Sequence, residues 1–124
     1  MLAEVAAEMT QQPTDIQRAL CSKYGADFLP CIDRLKIGIS RNFARNDYPI
    51  NGLRHPPQGD TTGWYIWSGR NWSEKADFFV PLHAFHLNDR CPEAIKFLAL
   101  APGWRFLFGP NHEDVWFDEG LLRI

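Results

Sequence analysis

The chain has 124 residues, 45% of them hydrophobic and 23% charged, which is typical of one soluble globular domain. Its net charge of −2 at pH 7 argues against a nucleic-acid-binding surface, and no run of about 18 apolar residues is present to span a membrane. Cys21, Cys31 and Cys91 are an odd and sparse set, so we expect free thiols in a cytoplasmic protein.

The N-terminal quarter predicts a leader and one helix. Residues 1–12 are polar and alanine-rich, and two glutamates exclude a secretory signal, so we expect a flexible leader. A helix is predicted over 15–24, because Thr14 is suited to cap its start and Gly25 to end it.

The middle of the chain predicts a strand, a long loop and a second strand. Apolar and polar residues alternate over 34–40, as they do in a half-buried strand. Residues 46–63 are rich in Pro, Gly, Asn and Asp and predict a loop, which at this length is usually functional or mobile.

The stretch GWYIWSG at 63–69 predicts a strand over 64–68. Trp64 and Ile66 would face the core, whereas Tyr65 and Trp67 would face the other way. Two apolar faces are typical either of a central strand covered on both sides or of a strand that offers one face to a partner.

The C-terminal part predicts a helix and a hairpin. Pro81 argues against a long central strand in FFVPLHAFHL, and a helix is predicted over 92–100 with a proline in its first turn. Strands over 104–108 and 114–118 are joined by a short turn. The fold class is therefore α+β, with a small antiparallel sheet of about four strands and two helices packed against it, in a single domain over 1–124.

Two groups of residues are candidates for catalytic chemistry, a pair of histidines and the acidic end of the chain. His83 and His86, with a carboxylate such as Asp89, are candidates for the metal site of a small hydrolase, although HxxH alone is a weak pattern and structural histidines are the simpler interpretation. No nucleotide-binding or nucleophile motif is present, so buried, inert cysteines are favoured and no cofactor is expected.

The acidic end of the chain, HEDVWFDE, favours partner binding over acid–base catalysis, because catalysis also needs a pocket and a matched acid and base. A solvated rim is the simplest alternative. The aromatic fraction is high, at 14%. We expect Trp64 and Trp104 in the core and the other three tryptophans at the surface, where tryptophan is a frequent hot spot. The candidate partner-binding residues are Trp67, Trp72, Glu113, Asp114, Trp116, Asp118 and Glu119.

The segments TGWYIWSG, DFFVPLHAFHL, CPEAIKFLALAPGWRFLF and EDVWFDEGLL resemble, in order and spacing, immunity proteins of bacterial polymorphic-toxin systems, class 33. The resemblance covers about residues 62–124, and residues 1–61 carry no motif that can be placed. It implies a small cytoplasmic protein that binds a cognate protein toxin and blocks it without catalysis. It carries over no catalytic residue. A generic protein-binding adaptor shares the same aromatic surface and stays open at this point, as does the metal-dependent hydrolase.

Overall fold

The computed structural model describes residues 13–70, 72, 73 and 75–123. They form one mixed β-sheet with helices packed on one side, so the predicted α+β class is confirmed. The leader expected at 1–12 lies outside the described residues. No helix in the described part of the chain is long and apolar enough to cross a membrane.

The described residues form six strands, not the four that were predicted. In chain order they are β1 Lys36–Ser40, β2 Ile50–Arg54, β3 Thr61–Ser68, β4 Phe79–His83, β5 Trp104–Gly109 and β6 His112–Phe117. In space they run β4-β1-β3-β2-β5-β6. Neighbours are antiparallel except β1 and β3, which are parallel, so the expectation of a purely antiparallel sheet is wrong.

Strand β2 lies inside the segment 46–63 that the sequence predicts to be a loop. It pairs with β3 on one side and β5 on the other, and all five of its residues are buried. Gly52 makes this possible, since a Cβ there would lie 2.1 Å from Cε2 of Phe106. Only glycine lets that ring lie against the strand, and the same glycine weakens the strand pattern in the sequence.

The four predicted strands are present as β1, β3, β5 and β6, with shifted ends, and β5 and β6 form the predicted hairpin. Strand β4 contains Pro81 and lies at the edge of the sheet, where proline is tolerated. β4 is thus a short edge strand and not the long central strand against which Pro81 argues.

The first predicted helix is confirmed as α1, Pro13–Tyr24. The second, expected over 92–100, is a shorter 3₁₀ helix. A Pro-led segment packed closely under the sheet makes i→i+3 turns here instead of a full α-helix. The remaining helical segments are α2, Leu87–Arg90, and the 3₁₀ helices Ala84–His86, Pro92–Phe97 and Glu119–Leu122.

The main core lies between the sheet and all of these helical segments except Glu119–Leu122. Trp64 is 1% exposed, and its indole Nε1 donates a hydrogen bond of 2.9 Å to the carbonyl of Leu98. Phe97 stacks on Phe106 with 4.4 Å between ring centroids. The predicted burial of Trp64 is confirmed, whereas Trp104 is half-buried at the rim of this core.

A buried cation holds the strands to the segment beneath them. Arg54 is 1% exposed, and its guanidinium donates to the backbone carbonyls of Thr62, Leu98 and Leu100 at 3.0, 3.3 and 2.8 Å. Its Nη1 also donates to the carbonyl of Leu29 at 2.8 Å. Burial lowers the pKa of Arg54, but a guanidinium remains protonated. The side chain therefore acts as a structural tie.

Candidate partner-binding surface

The side of the sheet away from the helices forms a surface that we call the open face. On four neighbouring strands it is built from two rows, Trp67–Asn51–Leu107–Asp114 and Tyr65–Leu53–Arg105–Trp116. Strands lie about 4.8 Å apart, so Trp67 and Asp114 are roughly 14 Å from each other. Both rows therefore fit within one ordinary protein–protein interface.

A small second core covers the middle of the open face. The 3₁₀ helix at the C-terminal end brings Leu121 onto Leu53 and Trp67, and the three side chains are 8%, 6% and 6% exposed. The expectation that Trp67 reaches the surface is therefore wrong. Its neighbours in sequence are polar, but a segment distant along the chain covers its ring.

Five rings form an aromatic cluster beside this second core, and they are Tyr65, Trp67, Trp72, Phe78 and Phe79. Trp72 packs edge-on against Trp67 with 4.7 Å between ring centroids, and it also lies 5.5 Å from Phe79. It is nevertheless 48% exposed, as predicted. Trp72 is thus a large ring held in place on one side and offered to solvent on the other.

Tyr65, on the same side of the sheet, is one of the residues that line a depression of about 300 Å³. Gly38 on the adjacent strand leaves room for it, because a Cβ at that position would lie 2.7 Å from Cδ1 of Tyr65. The ring also packs edge-on against Phe79 at 5.1 Å. Tyr65 is half-buried, in keeping with the expectation that it faces away from the main core.

The acidic residues do not form one cluster. Glu113 points to the helix side of the sheet, where it accepts hydrogen bonds from the hydroxyl of Tyr24 at 2.5 Å and from Nζ of Lys96 at 2.7 Å. Burial raises the pKa of Glu113, but the hydrogen bonds from Lys96 and Tyr24 and the nearby lysine charges outweigh it, and the net pKa is lowered. The hydrogen bond to Glu113 in turn raises the pKa of Tyr24 to about 12.

The other three carboxylates lie at or near the open face. Asp114 is exposed and 2.8 Å from Nε2 of His112, and Glu119 is exposed and 3.6 Å from Arg123. Asp118 caps the last 3₁₀ helix by accepting from the backbone N–H of Gly120 at 3.1 Å. Asp118 therefore has a structural role that the sequence pattern did not indicate.

Trp116 is 39% exposed, and the guanidinium of Arg105 lies 5.4 Å from its ring centroid. The same guanidinium is 3.3 Å from Asp118. Arg105 was not among the predicted residues, although the two-residue hairpin turn fixes the register that sets it opposite Trp116. The hairpin spacing was therefore the signal that identifies it.

A groove of about 760 Å³ lies on the opposite side of the sheet, between the start of α1, the 3₁₀ helix 92–97 and the hairpin turn. Its walls include Ile16, Ile95 and Phe108, with Lys96 and Glu113 at one side. The two charges satisfy each other. The groove therefore combines apolar walls with one closed ion pair.

The structure gives little support to a metal-dependent hydrolase that uses His83 and His86. His83 ends a strand and His86 ends a 3₁₀ helix, so they do not share a helical face, and their ring centroids are 6.4 Å apart. Within the described residues no three His, Cys, Asp or Glu side chains are grouped so as to hold a metal ion. Asp89 therefore does not complete a ligand set.

The three cysteines are free thiols, and each is at least partly buried. Burial raises the pKa of Cys31 and of Cys91 to about 11, and it also raises the pKa of Cys21. The thiolate is the nucleophilic form, so a raised pKa lowers the fraction of each thiol that is ionised near neutral pH.

A family model described as the Imm33-like domain matches residues 16–118, which is most of the chain. No curated protein and no solved structure matches it.

Proposed function

The chain belongs to the Imm33-like domain family, and from that premise we propose that it binds a cognate bacterial toxin and neutralises it by occlusion, without catalysis. Family membership is the observation that carries the proposal. An immunity protein works by covering a partner, which requires an exposed surface with anchoring side chains.

The open face supports this role. Trp72 and Trp116 are exposed but supported from behind by other rings or by a guanidinium, so little side-chain entropy is lost when they become buried. Asp114 and Glu119 add negative charge beside them. A toxin with an electropositive site would be attracted to this end of the surface.

The partner-binding set is therefore narrower than the sequence suggested. We propose Trp72, Trp116, Asp114 and Glu119 as contact residues. Trp67 and Asp118 support them from within the protein, and Glu113 belongs to the helix side.

The first test is titration of the chain against the product of the neighbouring gene, in a catalytically inactive form. We expect one-to-one binding with a Kd near the nanomolar range, and loss of the active toxin's activity at the same stoichiometry. Binding that leaves the toxin fully active would contradict occlusion. No binding to any adjacent toxin would remove the proposal.

The second test maps the surface. Trp72→Ala should weaken binding by roughly 30-fold or more if this ring is a hot spot. Phe85→Ala is the matched control, because Phe85 is 44% exposed but lies beyond the far end of β4. Equal effects of the two changes would show that the open face is not the interface.

The third test concerns charge. Asp114→Lys with Glu119→Lys should lower the association rate at low salt and leave the dissociation rate nearly unchanged. Asp118 is left intact, because changing it would also remove a helix cap. Association kinetics that do not respond to the reversal would exclude electrostatic steering by this end of the chain.

A further inference from the structure

The two edges of the sheet differ in what their outer backbone groups offer. In β4, hydrogen bonds from Arg41 N to Phe78 O and from Ala84 N to Leu35 O, each 2.8 Å, fix the alternation of the ladder with β1. Phe79 and His83 are the first and last residues of β4, and their backbone N–H and C=O groups therefore point away from β1. Pro81 lies between them in the middle of the strand. Proline has no N–H, so the centre of this edge cannot donate to an added strand.

Strand β6 forms the other edge and has no such block. Asp118 N donates to Gly103 O at 2.7 Å, in register with the β5–β6 ladder. Hydrogen-bonded and non-hydrogen-bonded residue pairs alternate along an antiparallel ladder. The backbone N–H and C=O groups of Glu113, Val115 and Phe117 therefore point away from β5. No other described strand lies on that side. Among the described residues, these three alternate positions thus present a row of unpaired backbone donors and acceptors.

We propose that β6 is the docking edge for an extended segment of the toxin, which adds a seventh strand to the sheet. The inference rests on the proposed function and specifies how that partner binds. Strand addition uses main-chain hydrogen bonds for affinity and the alternating side chains for specificity. The edge borders Trp116 and Asp114, so it is continuous with the open face.

The side chains of β6 define the chemistry of the segment. Val115 and Phe117 lie on the helix side of the edge, and Phe117 is 48% exposed, so the inserted strand is apolar on that side. On the open side Asp114 and Trp116 are two residues apart, and both are exposed. An arginine between them would pair with the carboxylate and stack on the indole.

A second copy of this chain fits the edge less well. Two β6 strands paired antiparallel would place the carboxylates of Glu113 and Asp114 from both copies in the same pair of strands. Like charges on neighbouring strands disfavour pairing. A six-residue edge alone also buries less area than a stable dimer needs.

The test compares Val115→Pro with Val115→Ala as its matched control. Alanine removes the two methyl groups and keeps the backbone N–H, whereas proline keeps a three-carbon side chain but removes the outward N–H. Neither change removes a hydrogen bond of the ladder with β5. We expect Val115→Ala to bind the inactive toxin nearly as wild type does, and Val115→Pro to bind about tenfold more weakly or worse. Equal affinities for the two variants would overturn the proposal, while binding by wild type would leave the proposed function standing.

Hydrogen exchange on the wild-type complex gives an independent readout if the proline variant does not fold. The amides of Glu113, Val115 and Phe117 should gain protection on binding, whereas those of Phe79 and His83 on the opposite edge should not. Protection confined to other segments would exclude docking at β6. Protection of these three amides in the free protein, rising with its concentration, would show self-association and would also overturn the proposal.

Discussion

The two faces of the sheet use the same kind of residue for different ends. On the helix side Trp64 is sealed at 1% exposure and its only polar atom is hydrogen-bonded, whereas on the open side Trp72 rests on another indole and remains 48% exposed. The two residues are eight positions apart in the sequence. The difference shows that aromatic content indicates little until each ring is assigned to a face.

The largest expected effect is on the helix side. Trp64→Ala should lower the free energy of unfolding by about 3–5 kcal/mol, because it opens a cavity beneath β3 and leaves the carbonyl of Leu98 without its indole donor. Chemical denaturation followed by circular dichroism measures this change. A loss below about 1 kcal/mol would mean that the two faces do not differ as described.

Arg54 gives the next largest effect. Arg54→Met keeps a side chain of similar length but removes the guanidinium hydrogen bonds to the buried carbonyls of Thr62, Leu98 and Leu100, so we expect a loss of roughly 2–4 kcal/mol in the free energy of unfolding. Arg54→Lys should recover part of that loss, because an ammonium donates to some of these carbonyls but cannot span them all. Equal stability of the two variants would indicate that hydrogen bonding is not what holds Arg54 in place.

On the open face, Trp72→Ala should cost less than about 1 kcal/mol in stability, since half of its surface is already exposed. Measuring the stability of Trp72→Ala and Trp64→Ala under identical conditions compares the open face directly with the helix side. If Trp72→Ala proved as destabilising as Trp64→Ala, the aromatic cluster would be a second folding core and not a binding surface.

The smallest effect is a pH dependence on the helix side. The pKa of Glu113 is lowered in the folded state, so its contribution is present above its unfolded pKa near 4.5 and is lost as pH falls through the folded value. The pKa of Tyr24 is raised to about 12, so its contribution is present below pH 10 and is lost as pH rises toward 12. Glu113 is partly exposed, and we expect less than about 1 kcal/mol in each window.

Unfolding measured across pH for wild type, Glu113→Gln and Tyr24→Phe checks both windows. Tyr24→Phe should remove the loss of stability above pH 10 that this pair causes. Glu113→Gln should make the free energy of unfolding less dependent on pH in the acid range. An acid limb identical in wild type and Glu113→Gln would show that the hydrogen bonds to this carboxylate do not contribute to stability.

The sequence predicted the elements whose patterns are local. Alternation in KIGIS, WYIW and WRFLF identified three strands, and Pro81 correctly argued against a long central strand in its segment. It did not predict β2, because Gly52 and Asn51 are poor strand formers whose fit depends on the ring of Phe106 and on buried amide contacts. These contacts form only in the tertiary structure, so no local sequence pattern reports them.

The candidate site was predicted in part for the same reason. The exposure of Trp72 and Trp116 was correctly expected from their polar neighbours. The burial of Trp67 depends on Leu121, which lies 54 positions further along the chain, and no local pattern reports that contact. Glu113 and Asp114 are adjacent in sequence, yet a strand sends them to opposite sides of the sheet.

The strand order also has a consequence for synthesis on the ribosome. Strands β1 and β2 are consecutive in the chain but do not touch, because β3 lies between them. The nascent chain therefore emerges with two unpaired strands, and neither gains a neighbour until residues 61–68 have been made. At roughly 5–20 residues per second this exposure lasts from about one to several seconds. The tryptophan-rich segment is thus the point in translation at which the sheet can first close.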